Sequence, residues 1–497
     1  MPALRLNDVI QATGGTLEGA SNALEAAPGA APGELELASV STDTREIGPC
    51  SLFVALKGDR FDGHDFLAEA AHRGARAALV ERRVRIPAKE RAPKLAQVRV
   101  DDVRKALGRL ARFHALRLQA KRVAITGSNG KTTTKDLLKS VLAVQAPTVA
   151  SERSFNNDVG LPRTLLSIEE STRFAVLELG SNHPGEIANL ADLARPEVAI
   201  VTNCAAAHVE YFKDLKGVVK EKGALIAALP VGAVAVLNAD DPALPELRAR
   251  TRARVVTFGI RRPADFRAVD IRFDLRRLVY VLRGRRVYVP LGGCHNVYNS
   301  LAALAAADAL GVPTTTAIAA LRRAHGPPMR LAAFEAGGVM LVDDTYNANP
   351  GSVEAAFRTL AAAPIEGRRV VVLGDMLELG PLASELHEKC GELVSLLPEL
   401  LLVAAGPHAD DVARGALAKG ADPARVVTCA DAASAARIVP PLLEPGDTVL
   451  VKGSRGMAME KVVEAIRARF SKRPAAESAA ARRAATKSLA GAGRAAG

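Results

Sequence analysis

The stretch KRVAITGSNGKTTT, Lys121 to Thr134, constrains the fold of this chain more than any other. A short β-branched run, Val123 to Thr126, stops at Gly127, Ser128, Asn129 and Gly130, and Lys131, Thr132 and Thr133 then open a helical run from Lys135 to Leu142. Strand, glycine loop and helix in that order predict a phosphate-binding loop. Backbone N–H groups converge on phosphate oxygens, Lys131 neutralises β/γ charge, and the Thr132 hydroxyl falls where Mg²⁺ needs a ligand. Only Ser128 and Asn129 separate the two glycines, so the loop is a shortened form of the usual pattern, with Ile125 at the older glycine position. The alternative is a plain glycine turn in a βα unit.

At 497 residues the chain exceeds one ordinary domain, and a prior of one per roughly 150 residues gives about three. Strands and helices alternate after the loop (strands Phe174–Leu179, Val198–Asn203 and Ala233–Leu237, a helix from Leu215 to Leu229), which predicts a mostly parallel sheet covered on both faces. Phe266 to Leu291 reads as antiparallel strands turning near Gly284. A break at Gly326, Pro327 and Pro328 precedes a second alternation, from strand Val339–Asp343 to helix Met459–Phe470, which predicts a doubly wound domain without G-x-G-x-x-G. The expected architecture is therefore α/β in three domains. These are a smaller N-terminal α/β domain (1–102), a central parallel-sheet domain carrying the phosphate loop (103–326) and a C-terminal Rossmann-like domain (327–470).

Composition narrows the setting. Five cysteines without paired spacing argue against a disulfide framework or a zinc site, and no apolar run approaches the roughly 18 residues of a membrane span. The expectation is a cytoplasmic protein with no membrane span. Of the formal charge of +12, +5 falls in the Ala-rich segment 471–497, which reads as disordered, and the remaining +7 is taken as spread over about 470 residues. Nucleic-acid binding is not expected.

Polar residues punctuate the strand ends where ligands bind in such sheets. Glu178 is a metal ligand or a capping acid, and His208, in TNCAAAHVEYF, is a ligand or a structural histidine. Lys222 reads on composition as a solvated helical charge, and His295, Asn296 and Asn299 as caps. Thr42 to Arg45 reads as a solvated turn or a contact. Asp343, Asp344, Asn347 and Asn349, with Lys452, Gly453, Ser454 and Arg455, form a polar rim at two strand ends.

The combination TGSNGKTT, ELGSNHPGEI, TNCAAAHVEYF, HNVYN, DDTYNANP and VKGSRGMAMEKV resembles the Mur ligases of bacterial cell-wall synthesis over about Val40 to Phe470. DTYNANP, LGDMLELG and KGSRGMAME look like the branch that handles D-alanyl-D-alanine. The resemblance implies an ATP-dependent amide ligase that activates the terminal carboxylate of a UDP-N-acetylmuramoyl-tripeptide as an acyl-phosphate and passes it to the amine of D-alanyl-D-alanine; separately, a monomer is expected. It implies two Mg²⁺ ions, with Thr132, Glu178, His208 and a carbamylated Lys222 as metal ligands and Lys131 as the catalytic cation. Gly127 to Thr133, Asn296, Arg330 and Asp344 match nucleotide contacts, and Thr44, Arg45, Asn157, Tyr346 and Asn347 match substrate contacts. A folate-extending amide ligase shares the short loop but lacks the DTRE to DGHDF region, and a phosphate-loop switch has only the basic tail in its favour.

Overall fold

In the computed structural model the described residues are 4–18, 34–58, 60–87, 92–152, 155–205, 209–212, 214–365, 367–397 and 399–470. His208, Asp59 and the segment 471–497 lie outside them.

The N-terminal residues build a five-stranded sheet in the order 16–18, 96–99, 75–80, 51–54, 39–41, parallel except at its first pair. Helix Val103–Leu116, capped by Asp102 accepting from the Lys105 N–H at 2.9 Å, follows. Its Leu107 and Leu110 share one continuous core with Leu52 and Leu79 of this sheet and Leu177 and Leu190 of the next region. One helix thus cements the first sheet to the second.

The central sheet has nine strands. Those that position the site are β1 (Lys121–Thr126), β2 (Phe174–Glu178) and β3 (Val198–Val201), with β1 between the other two and parallel to both. Alternation along β1 explains its place. Val123 and Ile125 face a core with Leu137, Leu138 and Val141 of α1 (Lys131–Ala143), while Ala124 faces the opposite core. A strand buried on both faces reads as an unbroken apolar run and belongs in the middle of a parallel sheet. Helix α2 (Leu215–Ala227) lies on one side. At the far end, β4 (Phe266–Phe273), β5 (Leu278–Leu282) and β6 (Arg285–Val289) form the expected antiparallel ribbon, although β4 also joins the parallel part through Phe258 and Phe266. Helix α3 (His295–Ala309) covers the inner face of the ribbon.

The last region is a six-stranded sheet in the order 332–336, 339–344, 448–452, 369–374, 401–405, 426–429, parallel except for its first strand. That first strand, Ala332–Ala336, was not legible in the sequence. β7 (Val339–Asp344) runs into α4 (Pro350–Ala362), and β8 (Arg369–Gly374) pairs with β9 (Thr448–Lys452) where the strand order reverses. Open parallel sheets bind ligands at such reversals. Among the described residues no helix is long and apolar enough to cross a membrane.

Candidate active site

The loop after β1 has one conformation open to it. Gly127 has φ +143°, and a Cβ there would lie 2.0 Å from the Thr202 Oγ1; Gly130, at φ +83°, would press a Cβ to 2.3 Å from the Asn299 Oδ1. Only glycine fits either position. The loop following β3 holds this shape. The Ser128 N–H donates to the Asn203 carbonyl at 2.9 Å, the Asn129 N–H to the Asn203 Oδ1 at 3.1 Å, and the Asn129 carbonyl accepts from the Thr202 Oγ1 at 2.6 Å and the Asn203 Nδ2 at 3.0 Å. α1 starts at Lys131, so its unpaired N–H groups face the loop.

Lys131 folds back on the loop, donating from Nζ to the Gly127 carbonyl at 2.7 Å and the Ser128 carbonyl at 3.3 Å. Burial pushes its pKa down, Glu178 partly opposes this, and Arg330 adds to the downward shift. Beside it lie two oxygens whose needs are unmet. Thr132 Oγ1 and Glu178 Oε2 are buried without a hydrogen-bond partner among the described residues, while Glu178 Oε1 accepts from the Asn156 Nδ2 at 3.0 Å. A buried carboxylate oxygen with nothing to bind is costly unless a ligand satisfies it, and a hydroxyl and carboxylate pair suits a hard cation such as Mg²⁺.

Lys222 is not the solvated helical charge that composition implied. It lies on the buried side of α2 at 2% exposure, because the helix packs this turn against the loop after β2. Its Nζ donates to the Ser181 Oγ at 2.8 Å and lies 5.6 Å from the centre of the Phe212 ring. Burial, followed by repulsion from Lys131, pushes its pKa down to about 7.

The C-terminal region contributes the opposite wall. Asp344, at the end of β7, accepts from the Leu331 N–H at 3.1 Å and from the Lys452 Nζ at 2.7 Å, and Lys452, at the end of β9, also donates to the Asn347 carbonyl at 3.0 Å. The Arg330 guanidinium lies 4.1 Å from the centre of the Tyr346 ring. Asn349 caps α4 by accepting from the Ser352 N–H at 2.9 Å, and its Nδ2 reaches across to the Asn129 Oδ1 at 2.9 Å. Asn349→Ala removes both contacts and should cost about 1 kcal/mol of stability from the cap alone, read as a lower denaturant midpoint. An unchanged midpoint would show that the cap carries no weight.

Asn296 and Asn299 do more than cap. The residue at the N-cap of α3 is Cys294, and the buried Asn296 donates to the Gly292 carbonyl at 2.7 Å and accepts from the Asn299 Nδ2 at 2.8 Å. His295 Nδ1 is buried without a partner among the described residues, and burial lowers that imidazole's pKa.

All of this converges on one cleft of about 830 Å³. Ser128 to Thr133, Asn157, Glu178, Asn296, Arg330, Asp344, Tyr346 and Asn347 line it. Gly127 and Lys222 sit behind that lining, and His208 is outside the described residues. Thr44 and Arg45 are not brought to this cleft: Arg45 is exposed and pairs with Asp43 at 2.6 Å. Sequence reasoning missed Asn156, Ser181 and Asn203. Asn203 had a signal, an amide directly after a buried strand, which the nearby histidine overshadowed.

A short glycine loop, unmet cation-binding oxygens and a second α/β domain across the cleft define a phosphate-loop nucleotide-binding enzyme. Three family models match: Mur ligase family, catalytic domain, over 36–115; Mur ligase middle domain, over 125–307; and Mur ligase, glutamate ligase domain, over 329–455. The chain belongs to the Mur ligase family. It is 38% identical over 442 residues to the UDP-N-acetylmuramoyl-tripeptide--D-alanyl-D-alanine ligase of Escherichia coli (87% of this chain, 94% of that one) and 34% identical to that of Bacillus subtilis (86% and 92%). Among solved structures, MurF from Acinetobacter baumannii superposes with a TM-score of 0.84 at 31% identity, covering 94% of this chain and 99% of that one. MurF from Thermotoga maritima in complex with ADP gives 0.77 at 28%, covering 88% and 98%.

Proposed function

We propose that this chain is the ATP-dependent ligase that joins D-alanyl-D-alanine to a UDP-N-acetylmuramoyl-tripeptide in the cytoplasm, acting as a monomer. The observation that carries the reading is the pair of buried oxygens without a hydrogen-bond partner among the described residues, Thr132 Oγ1 and Glu178 Oε2, beside a glycine loop and Lys131. The relatives matched over most of the chain carry that activity in their names, and this favours it over folate-type ligation or a nucleotide switch.

In the first step a carboxylate oxygen of the tripeptide attacks the γ-phosphorus of ATP, the bond to the β–γ bridging oxygen breaks, and ADP leaves. In the second, the amine of D-alanyl-D-alanine attacks the acyl carbon, phosphate leaves with the bonding pair, and the amine sheds a proton. Carboxylate and phosphate carry the same sign, so the first step needs positive charge. Lys131 supplies it by exchanging the Gly127 carbonyl for phosphate oxygens. Thr132 and Glu178 would hold one Mg²⁺, and His208 with carbamylated Lys222 a second; bound metal would cancel charge on the reacting oxygens. Asn296, Arg330 and Asp344 serve the nucleotide from the other wall. Asn157, Tyr346 and Asn347 serve the substrates, and Thr44 and Arg45 the uridine nucleotide. The division of labour follows 1–102, 103–326 and 327–470.

Because the acyl-phosphate forms on the substrate's own carboxylate, sustained phosphate release should require ATP, the UDP-tripeptide and D-alanyl-D-alanine together. A coupled phosphate assay with each omitted in turn tests this. Vigorous release from ATP alone would contradict the reading.

A further inference from the structure

The charge outside the last 27 residues is not evenly spread. Residues 261–286 carry nine arginines against three acids, a net +6 of the +7 that 1–470 holds. The structure gathers this charge on the antiparallel ribbon at the end of the central sheet. Two of its three acids are already engaged: Asp265 accepts from the Thr257 N–H and Oγ1 at 2.8 Å, and Asp274 accepts from Arg276 and Arg277 N–H groups and the Arg277 Nε. Arg261, Arg262, Arg272, Arg276, Arg285 and Arg286 are exposed, with no side-chain ion pair or hydrogen bond among the described residues.

The ribbon's two faces differ sharply. Phe266, Leu278, Tyr280, Leu282, Val287 and Val289 point inward and pack in the core with α3. On the other face the register sets Arg272 beside Val279 and Tyr288, and Val269 beside Val281 and Arg286. Val269 is 43% exposed there. Arg272 and Arg286 thus stand among Val269, Val279 and Val281 on strands about 4.8 Å apart, with a bulge in β4 between Val269 and Arg272. Ordinary surfaces intersperse charges of both signs. Here Arg272 and Arg286 stand on the outer face, Arg276 at the turn after β4 and Arg285 at the edge opposite Leu282, and this excess of positive charge suits an anionic partner.

We propose that this ribbon docks the enzyme on a bilayer surface bearing anionic phospholipid headgroups. Valines beside guanidiniums suit the interfacial zone of an anionic bilayer, where apolar and cationic groups act together. Single-stranded RNA bound on a sheet asks for a platform of stacked aromatics, and among the described residues this face offers Tyr288 alone. The docking is peripheral, lies outside the cleft lining and is independent of the reaction assigned above.

Sedimentation of the full chain with phosphatidylcholine vesicles, with and without phosphatidylglycerol, tests the proposal. Binding should require phosphatidylglycerol and weaken at least tenfold as salt is raised. The triple variant Arg272→Glu, Arg276→Glu and Arg286→Glu should lower partitioning about a hundredfold, at about fivefold per residue, with ligation in solution and the circular-dichroism melt unchanged. The same three positions changed to Gln provide a milder set should the Glu variant fail to fold. A second full-length variant, with the six basic residues beyond Phe470 changed to Gln, should still bind. Equal binding to neutral vesicles, binding by the ribbon variants equal to the parent's, loss of binding only in the tail variant, or capture of RNA with no vesicle binding would each overturn the proposal.

Discussion

Lys131→Ala should lower the rate of ligation by about 10³ or more while leaving the fold intact. In the structure the Lys131 ammonium is bound, among the described residues, to two loop carbonyls at 2.7 and 3.3 Å, so its loss removes little native-state bonding. Its value lies in charge that develops on phosphate oxygens during transfer, and preorganised cations there contribute on the scale of several powers of ten. Burial lowers its pKa without the nucleotide, and phosphate oxygens arriving beside it favour the charged form. Coupled ADP release and a thermal melt on the same preparation separate rate from stability. Turnover within tenfold of the parent would mean that the loop lysine is structural.

Lys222→Ala should abolish ligation, and acetate should restore part of it. An ammonium next to divalent cations is repelled, whereas reaction of the neutral amine with CO₂ turns +1 into −1 and supplies two oxygens suited to Mg²⁺. With its pKa lowered to about 7, the amine is about half neutral near pH 7, more so above it and less below. Turnover in bicarbonate-depleted buffer should therefore fall as pH drops through 7 and recover on adding bicarbonate. The Ala variant should keep its melting temperature, since it also removes a buried amine that is costly to desolvate. Normal ligation by that variant, or an ATP-bound map with an unmodified Lys222 still on Ser181, would sink the idea.

The glycine loop was legible because its chemistry is local: a β-branched strand, two closely spaced glycines and a helix start lie within fourteen residues. Period and length likewise revealed the central and C-terminal sheets. Lys222 was misread on composition because a lysine on a helix looks solvated, and only the packing of α2 against the loop after β2 buries it. Ala332–Ala336 went unseen because its residues are half-exposed and its partner, β7, follows across a two-glycine turn. Asn349 was read from the sequence as part of a polar rim, but its partner Asn129, 220 residues away, was not, and Asn203, whose partner Asn129 is 74 residues away, was passed over for the nearby histidine.

The bond between Asn349 and Asn129 makes the phosphate loop a property of two domains rather than one. Asn129 presents its backbone to Thr202 and Asn203 and its side chain to the C-terminal wall. A nucleotide that shifts the Asn129 side chain would act on that wall through this bond, and thermodynamic reciprocity would require the converse with the same factor. A difference in nucleotide affinity between the parent and Asn349→Ala would therefore measure how strongly the two walls are coupled through this one bond.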